Sequence, residues 1–150
     1  MTPGPSAVGR ALVCASRFNE AVTRRLADGA RDTLAAAGVE SDTLWVAGAW
    51  ELPLALDRGL ATGRYTLGVA VGAIVRGETP HFDVLAAEVT RALGQVALGR
   101  GMPVGFGVLT CDTLEQALAR AGGSHGNKGA EAAEAALDAR RGLDGLHAPR

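Results

Sequence analysis

The sequence predicts an α/β fold in which a mainly parallel, four-stranded sheet carries helices on both faces. Three observations lead there. Short apolar runs alternate with amphipathic ones, Gly, Pro, Asn and Asp mark the switches between them, and a helix rather than a tight turn separates each strand from the next. The resulting order is βαβαβαβα. Parallel neighbours need such crossovers, and crossover helices cover the sheet on both sides. A chain of 150 residues, 47% of them hydrophobic, suits a single domain with a sizeable core over residues 11–150, preceded by an N-terminal segment at residues 1–10.

The strand-like runs are Ala11 to Ala15, Leu44 to Ala47, Leu67 to Val75 and Val104 to Leu109. The third is rich in Val, Ala and Gly, as expected of a strand buried on both faces. Between the first two, Asn19 to Ala37 repeats apolar residues at Val22, Leu26, Ala30 and Leu34, a spacing that puts them on one helical stripe ended by Gly38. A second helix is expected over Glu51 to Leu60. A third runs from Pro80 to about Leu98, with Leu85, Val89, Leu93 and Val96 as its buried stripe. A fourth, Asp112 to Ala121, starts on an Asp cap, and a fifth spans Lys128 to Arg141 after the Gly122-Gly123 break.

Fifteen basic and 16 acidic residues give a formal net charge of -1, which argues against nucleic acid or an anionic membrane as partner. The two cysteines, Cys14 and Cys111, stand far apart with no Cys/His cluster to hold a metal, and read as reduced thiols. Met1 to Gly9 lacks a basic stretch followed by an apolar one, and no run approaches the roughly 18 residues of a membrane span. The expected location is the cytoplasm.

In doubly covered parallel sheets the ligand site lies at the carboxyl ends of the strands. The residues found there are Ser16-Arg17-Phe18-Asn19, Gly48-Ala49-Trp50-Glu51, Arg76-Gly77-Glu78-Thr79-Pro80-His81-Phe82-Asp83 and Thr110-Cys111-Asp112. An aromatic face, a carboxylate, an imidazole and a hydroxyl are thus expected to converge on one cleft. Thr79 fits an N-cap and Pro80 the first helical position, which leaves His81 in the first turn, where free N–H groups favour an anion. There an imidazole can exchange protons near neutral pH. The same octapeptide also fits an ordinary cap with His81 on the surface.

Five segments carry a family resemblance: Arg17-Phe18-Asn19-Glu20; Gly48-Ala49-Trp50-Glu51-Leu52-Pro53; Gly72-Ala73-Ile74-Val75-Arg76-Gly77 with Thr79-Pro80-His81-Phe82; Phe106-Gly107-Val108-Leu109-Thr110; and Gly126-Asn127-Lys128-Gly129. In order and spacing, from about Ala11 to Ala139, the chain resembles lumazine synthase. The resemblance implies a three-layer, flavodoxin-like sandwich. It also implies condensation of 5-amino-6-(D-ribitylamino)uracil with 3,4-dihydroxy-2-butanone 4-phosphate to 6,7-dimethyl-8-ribityllumazine, without a cofactor.

Matched residue by residue, Phe18 would stack on the pyrimidine, with Ala49, Trp50 and Glu51 around the ring and ribityl hydroxyls. Ala73, Ile74 and Val75 would border the pyrimidine through backbone contacts, and Glu78 and Thr79 would line the phosphate position. His81 would carry the proton, Arg120 would bind the phosphate, and Lys128 would add a further cation. Phe106 matches a residue that the family supplies from a neighbouring subunit. The implied partners are therefore two small molecules and further copies of the chain, in a homopentamer or a sixty-subunit icosahedral shell. Two residues depart from the family's habit: Ala47 stands where Pro is common and Trp50 where Phe is common. The short, proline-broken Thr2-Pro3-Gly4-Pro5-Ser6 is poorly suited to the strand some members add to a neighbour's sheet. A flavin-binding or lumazine-binding module and a purely structural cage remain alternatives, against which stand His81, Arg120 and Lys128 together.

Overall fold

A computed structural model describes residues 8–78 and 81–147. The proline-broken N-terminal stretch and the Thr79-Pro80 cap lie outside the described residues. Four strands, β1 (Ala11–Ser16), β2 (Ser41–Val46), β3 (Leu67–Val75) and β4 (Val104–Cys111), form one parallel sheet in the order β2-β1-β3-β4. The helices between and after them are α1 (Glu20–Ala36), α2 (Leu52–Ala61), α3 (Phe82–Arg100), α4 (Leu114–Ala119) and α5 (Lys128–Gly145). Helices α1 and α5 cover one face and α2 and α3 the other, which makes the three layers expected.

The alternation of the strands divides the core in two. Val13, Ala15, Val69 and Val71 face α1 and α5, where they meet Leu26, Ala30, Leu34 and Ala133. Leu12, Cys14, Ala70 and Ile74 face α2 and α3, where they meet Leu52, Leu56, Val89 and Leu93. All nine residues of β3 are buried, as its apolar run predicts. The α1 stripe at Val22, Leu26, Ala30 and Leu34 is fully buried; on α3, Val89, Leu93 and Val96 are buried while Leu85 is only partly covered.

Close approach on the first face depends on missing side chains. A Cβ on Gly129 would stand 2.0 Å from the Leu26 carbonyl oxygen, and one on Gly105 2.3 Å from that of Ala132. Glycine at these two positions lets α5 lie directly against both α1 and β4.

Several boundaries differ from expectation. The second strand begins at Ser41, because its pairing with β1 runs from Ala11–Ser41 to Ser16–Val46 and outweighs the polar look of Ser41-Asp42-Thr43. Helix α3 begins at Phe82 with His81 as its N-cap, two residues later than Pro80 suggested. Helix α4 is capped by Thr113, whose Oγ1 accepts from Gln116 N–H at 3.2 Å, and not by Asp112, whose carboxylate faces Arg76. The Gly122-Gly123 break is a small antiparallel pair, β5 (Ala121–Gly123) with β6 (Gly126–Asn127).

Candidate active site

At the carboxyl ends of β1, β2 and β3 lies a cleft of about 420 Å³, lined by Phe18, Ala47 to Glu51, Ala73 to Val75, Glu78 and Leu85. Its first wall is made where β1 ends. Arg17 and Phe18 N–H groups donate to the Val46 and Ala47 carbonyls at 2.8 and 3.1 Å, which carries the strand pairing two residues further. Asn19 then takes φ 63 and ψ 48, the only described non-glycine residue with positive φ. Asparagine tolerates this left-handed conformation because its short polar side chain finds local partners. Here Nδ2 donates to the Ala73 carbonyl at 3.4 Å, and the Phe18 ring is left 52% exposed over the cleft.

The second wall is a 3₁₀ turn at Ala49–Glu51, entered from an extended Gly48. Glu51 Oε1 accepts the Gly48 N–H at 3.0 Å, so one carboxylate oxygen braces the turn that presents Trp50, 66% exposed. The buried end of β3, Ala73 to Val75, forms the floor. Beyond it Gly77 adopts φ 87 and Glu78 N–H donates to the Val75 carbonyl at 3.2 Å, closing a turn that brings Glu78 to the rim.

His81 stands exposed at the head of α3, one turn before the cleft-lining Leu85, whose N–H donates to the His81 carbonyl at 2.8 Å. Its imidazole has no hydrogen-bond partner among the described residues. The Arg76 guanidinium lies nearby, 4.4 Å over the Phe82 ring, with Nε donating to Asp112 Oδ1 at 2.8 Å. That hydrogen bond, more than the neighbouring charge of Asp83, raises the Arg76 pKa above its ordinary value.

A second cleft, of about 500 Å³, lies along the free edge of β4 and is lined by Phe106, Thr110, Cys111, Arg120, His125 and Lys128 among others. Phe106 is 38% exposed on this edge strand. The two cations are held together by the backbone, since Lys128 N–H donates to the Arg120 carbonyl at 2.8 Å. Asn127 anchors that clasp: its Oδ1 accepts from Ala130 N–H at 3.0 Å, and its Nδ2 donates to the Arg25 carbonyl at 3.0 Å. Both cysteines are free and buried. Burial pushes the Cys14 thiol up to about 12 and also raises Cys111, where the charge of Arg120 partly opposes it.

Residues 9–142 match the family model for 6,7-dimethyl-8-ribityllumazine synthase. The chain is 57% identical over 132 residues to the 6,7-dimethyl-8-ribityllumazine synthase of Gemmatimonas aurantiaca, covering 86% of this chain and 80% of that one. It is 50% identical to the enzyme of the same name from Anaeromyxobacter dehalogenans, over 86% of this chain and 82% of that one. It is 44% identical to that of Desulfovibrio desulfuricans, over 91% and 90%. The chain belongs to the 6,7-dimethyl-8-ribityllumazine synthase family.

Of the residues expected from the lumazine synthase resemblance, Phe18, Ala49, Trp50, Glu51, Ala73, Ile74, Val75 and Glu78 line the first cleft together. His81 is not in its lining but caps α3 between the lining residues Glu78 and Leu85, and Thr79 lies outside the described residues. Phe106, Arg120 and Lys128 line the second cleft, which shares no described residue with the first. The expected convergence of all four strand ends therefore fails at β4. As the edge strand next to β3, it carries Thr110 to the outer side, with α4 and α5 beyond it. Leu85 and His125 at the clefts, and the contacts of Arg76, are not foreseen from the sequence. Leu85 reads as core from its spacing, and the partners of Arg76 at positions 83 and 112 meet it only through the folded backbone.

Proposed function

We propose that this chain condenses 5-amino-6-(D-ribitylamino)uracil with 3,4-dihydroxy-2-butanone 4-phosphate to give 6,7-dimethyl-8-ribityllumazine, orthophosphate and water, the penultimate step of riboflavin synthesis. The observation that carries this reading is family membership over residues 9–142, which includes every residue of both clefts. The first cleft suits a flat, uncharged heterocycle: Phe18 offers a ring face, and the ends of β3 and the 3₁₀ turn offer backbone donors and acceptors. The second suits a phosphate, with the forked guanidinium of Arg120 and the ammonium of Lys128.

Since the clefts are separate within one subunit, a complete site is assigned to a subunit boundary, where Phe106, Arg120 and Lys128 of one copy face Phe18 and His81 of the next. A homopentamer provides such boundaries, and a sixty-subunit shell of pentamers repeats them. In this reading the reaction takes place in the cytoplasm. Residues 11–150 act as one domain in this reading.

In the proposed sequence the pyrimidine amine attacks the ketone to form an imine, phosphate leaves, and the second amine closes the ring. Phe18, Glu51 and the β3 carboxyl end orient the pyrimidine, Glu78 and Thr79 border the phosphate, and His81 moves protons between the amine and the departing groups. Amine and ketone condense readily once they meet, so orientation dominates. Holding two reactants together removes several kcal/mol of barrier, whereas one positioned acid or base contributes about 10² to 10⁴-fold.

The test is lumazine absorbance on mixing purified protein with both substrates, against a protein-free blank. Acceleration over the blank is expected, with His81→Ala slowing turnover about 10²-fold but not to the blank rate. Saturable binding of the pyrimidine without acceleration would replace the enzyme by a binding module.

A further inference from the structure

We propose that Arg76 is a positioning residue for His81: it clamps the first turn of α3 to the carboxyl end of β4 and thereby sets where the imidazole stands. The inference rests on the synthase reading of the cleft with His81 as proton carrier. Its first support is the anchoring of Arg76 itself, whose backbone N–H donates to the Cys111 carbonyl at 2.8 Å. From that fixed point the guanidinium touches three groups. Nε donates to Asp112 Oδ1 at 2.8 Å, a terminal nitrogen donates to Asp83 Oδ1 at 3.4 Å, and the guanidinium carbon stands 4.4 Å from the centre of the Phe82 ring.

Phe82 and Asp83 are the two residues that follow His81, and the His81 side chain makes no hydrogen bond among the described residues. The imidazole is carried on that turn, and Arg76 holds the turn through both following side chains. Only arginine suits the arrangement. Its planar fork presents donors along two edges to Asp112 and Asp83 while its face lies on the Phe82 ring. Lysine carries the same charge but cannot make all three contacts from one compact ammonium.

The experiment measures kcat and both KM values for the assembled wild type, R76M, R76K, H81A and the R76M/H81A double variant. Because a misplaced catalytic group loses rate steeply with distance, R76M is expected to lower kcat about tenfold, and R76K to recover less than about half of that loss. The KM for the pyrimidine should change less than about twofold in R76M, since Phe18 and β3 are untouched. In the H81A background R76M should change kcat less than about twofold, because a clamp acting through His81 has nothing left to position. D112N, which weakens one anchor, should give a smaller loss with the same dependence on His81.

An unchanged kcat in R76M or in H81A overturns the proposal. So does an equal loss from R76M in both backgrounds, which is also what general misfolding would produce. A wild type no faster than the blank overturns the synthase reading, and the clamp with it. Wild-type acceleration combined with an additive Arg76 effect overturns the clamp alone.

Discussion

The first cleft is floored and walled mainly by apolar groups and backbone, with Glu51 and Glu78 as its charged members, whereas the second gathers Arg120, Lys128, His125 and Glu131 with Phe106. They differ because of their places in the sheet. The first lies at the carboxyl ends of β1, β2 and β3, where the segments that follow the three strands meet. The second lies on the unpaired edge of β4, where the half-exposed Arg120 and Lys128 stand at the rim of the sheet. A neutral ring gains from faces and desolvation; a phosphate is costly to dehydrate and needs fixed positive charge. In the proposed reading, recognition of the two reactants is thus divided between two environments, which a neighbouring copy joins.

The strongest way to break this comparison is to destroy one cleft through its foundation. Gly129→Val forces a side chain into the Leu26 backbone beneath the second cleft and is expected to cost about 3 kcal/mol or more of stability. Urea denaturation checks this, and a midpoint within error of wild type would mean that α1 and α5 separate more freely than their contact implies. Next, Arg120→Ala should raise the KM for the phosphate substrate about ten- to a hundredfold, the worth of hydrogen bonds to a charged group. The pyrimidine KM should hardly move; equal effects on both would merge the two clefts into one functional unit.

Phe18→Ala sharpens the contrast from the other side. Loss of a stacking face should raise the pyrimidine KM about tenfold and leave that of the phosphate substrate nearly unchanged. Steady-state titration of each substrate at a saturating level of the other separates the two.

The smallest effect concerns the opposite end of the sheet. There Asp42 accepts Arg10 Nε at 3.0 Å, a second Arg10 nitrogen at 2.8 Å and the Tyr65 hydroxyl at 2.7 Å. These bonds, Arg10 first, hold its carboxyl below the usual carboxylate range. A depressed folded pKa contributes stability that is complete above the unfolded value of about 4 and is lost as pH falls below it. Asp42→Asn should therefore flatten the decline of Tm between about pH 5 and pH 2, and leave both KM values at neutral pH unchanged. A decline as steep as in wild type would assign acid sensitivity to other carboxylates.

The periodicities told most about the frame. The four-residue spacing in α1 and the unbroken apolar run of β3 each identify an element and its buried face, because burial acts residue by residue along the chain. Residues of the first cleft were legible where they follow a strand within a few positions, as Phe18, Ala49 to Glu51 and Glu78 do. His81 was placed beside the cleft rather than in its lining, since the helix starts after it and not at Pro80. The grouping of Arg120 and Lys128 apart from the first cleft was not legible. It follows from β4 being an edge strand and from a small antiparallel pair that the Gly122-Gly123 pattern did not announce.

What the residues alone decide is the alternation of strands and helices, the two-faced core and the family to which the motifs belong, since local hydrophobic patterning and backbone preference are written position by position. What the tertiary structure decides is adjacency. Strand order separates the two clefts, Asn127 ties α5 to α1 beneath Lys128, and Arg76 meets Asp112 across 36 positions of chain. Such contacts depend on how distant segments pack at once, and no local pattern in the chain records that outcome.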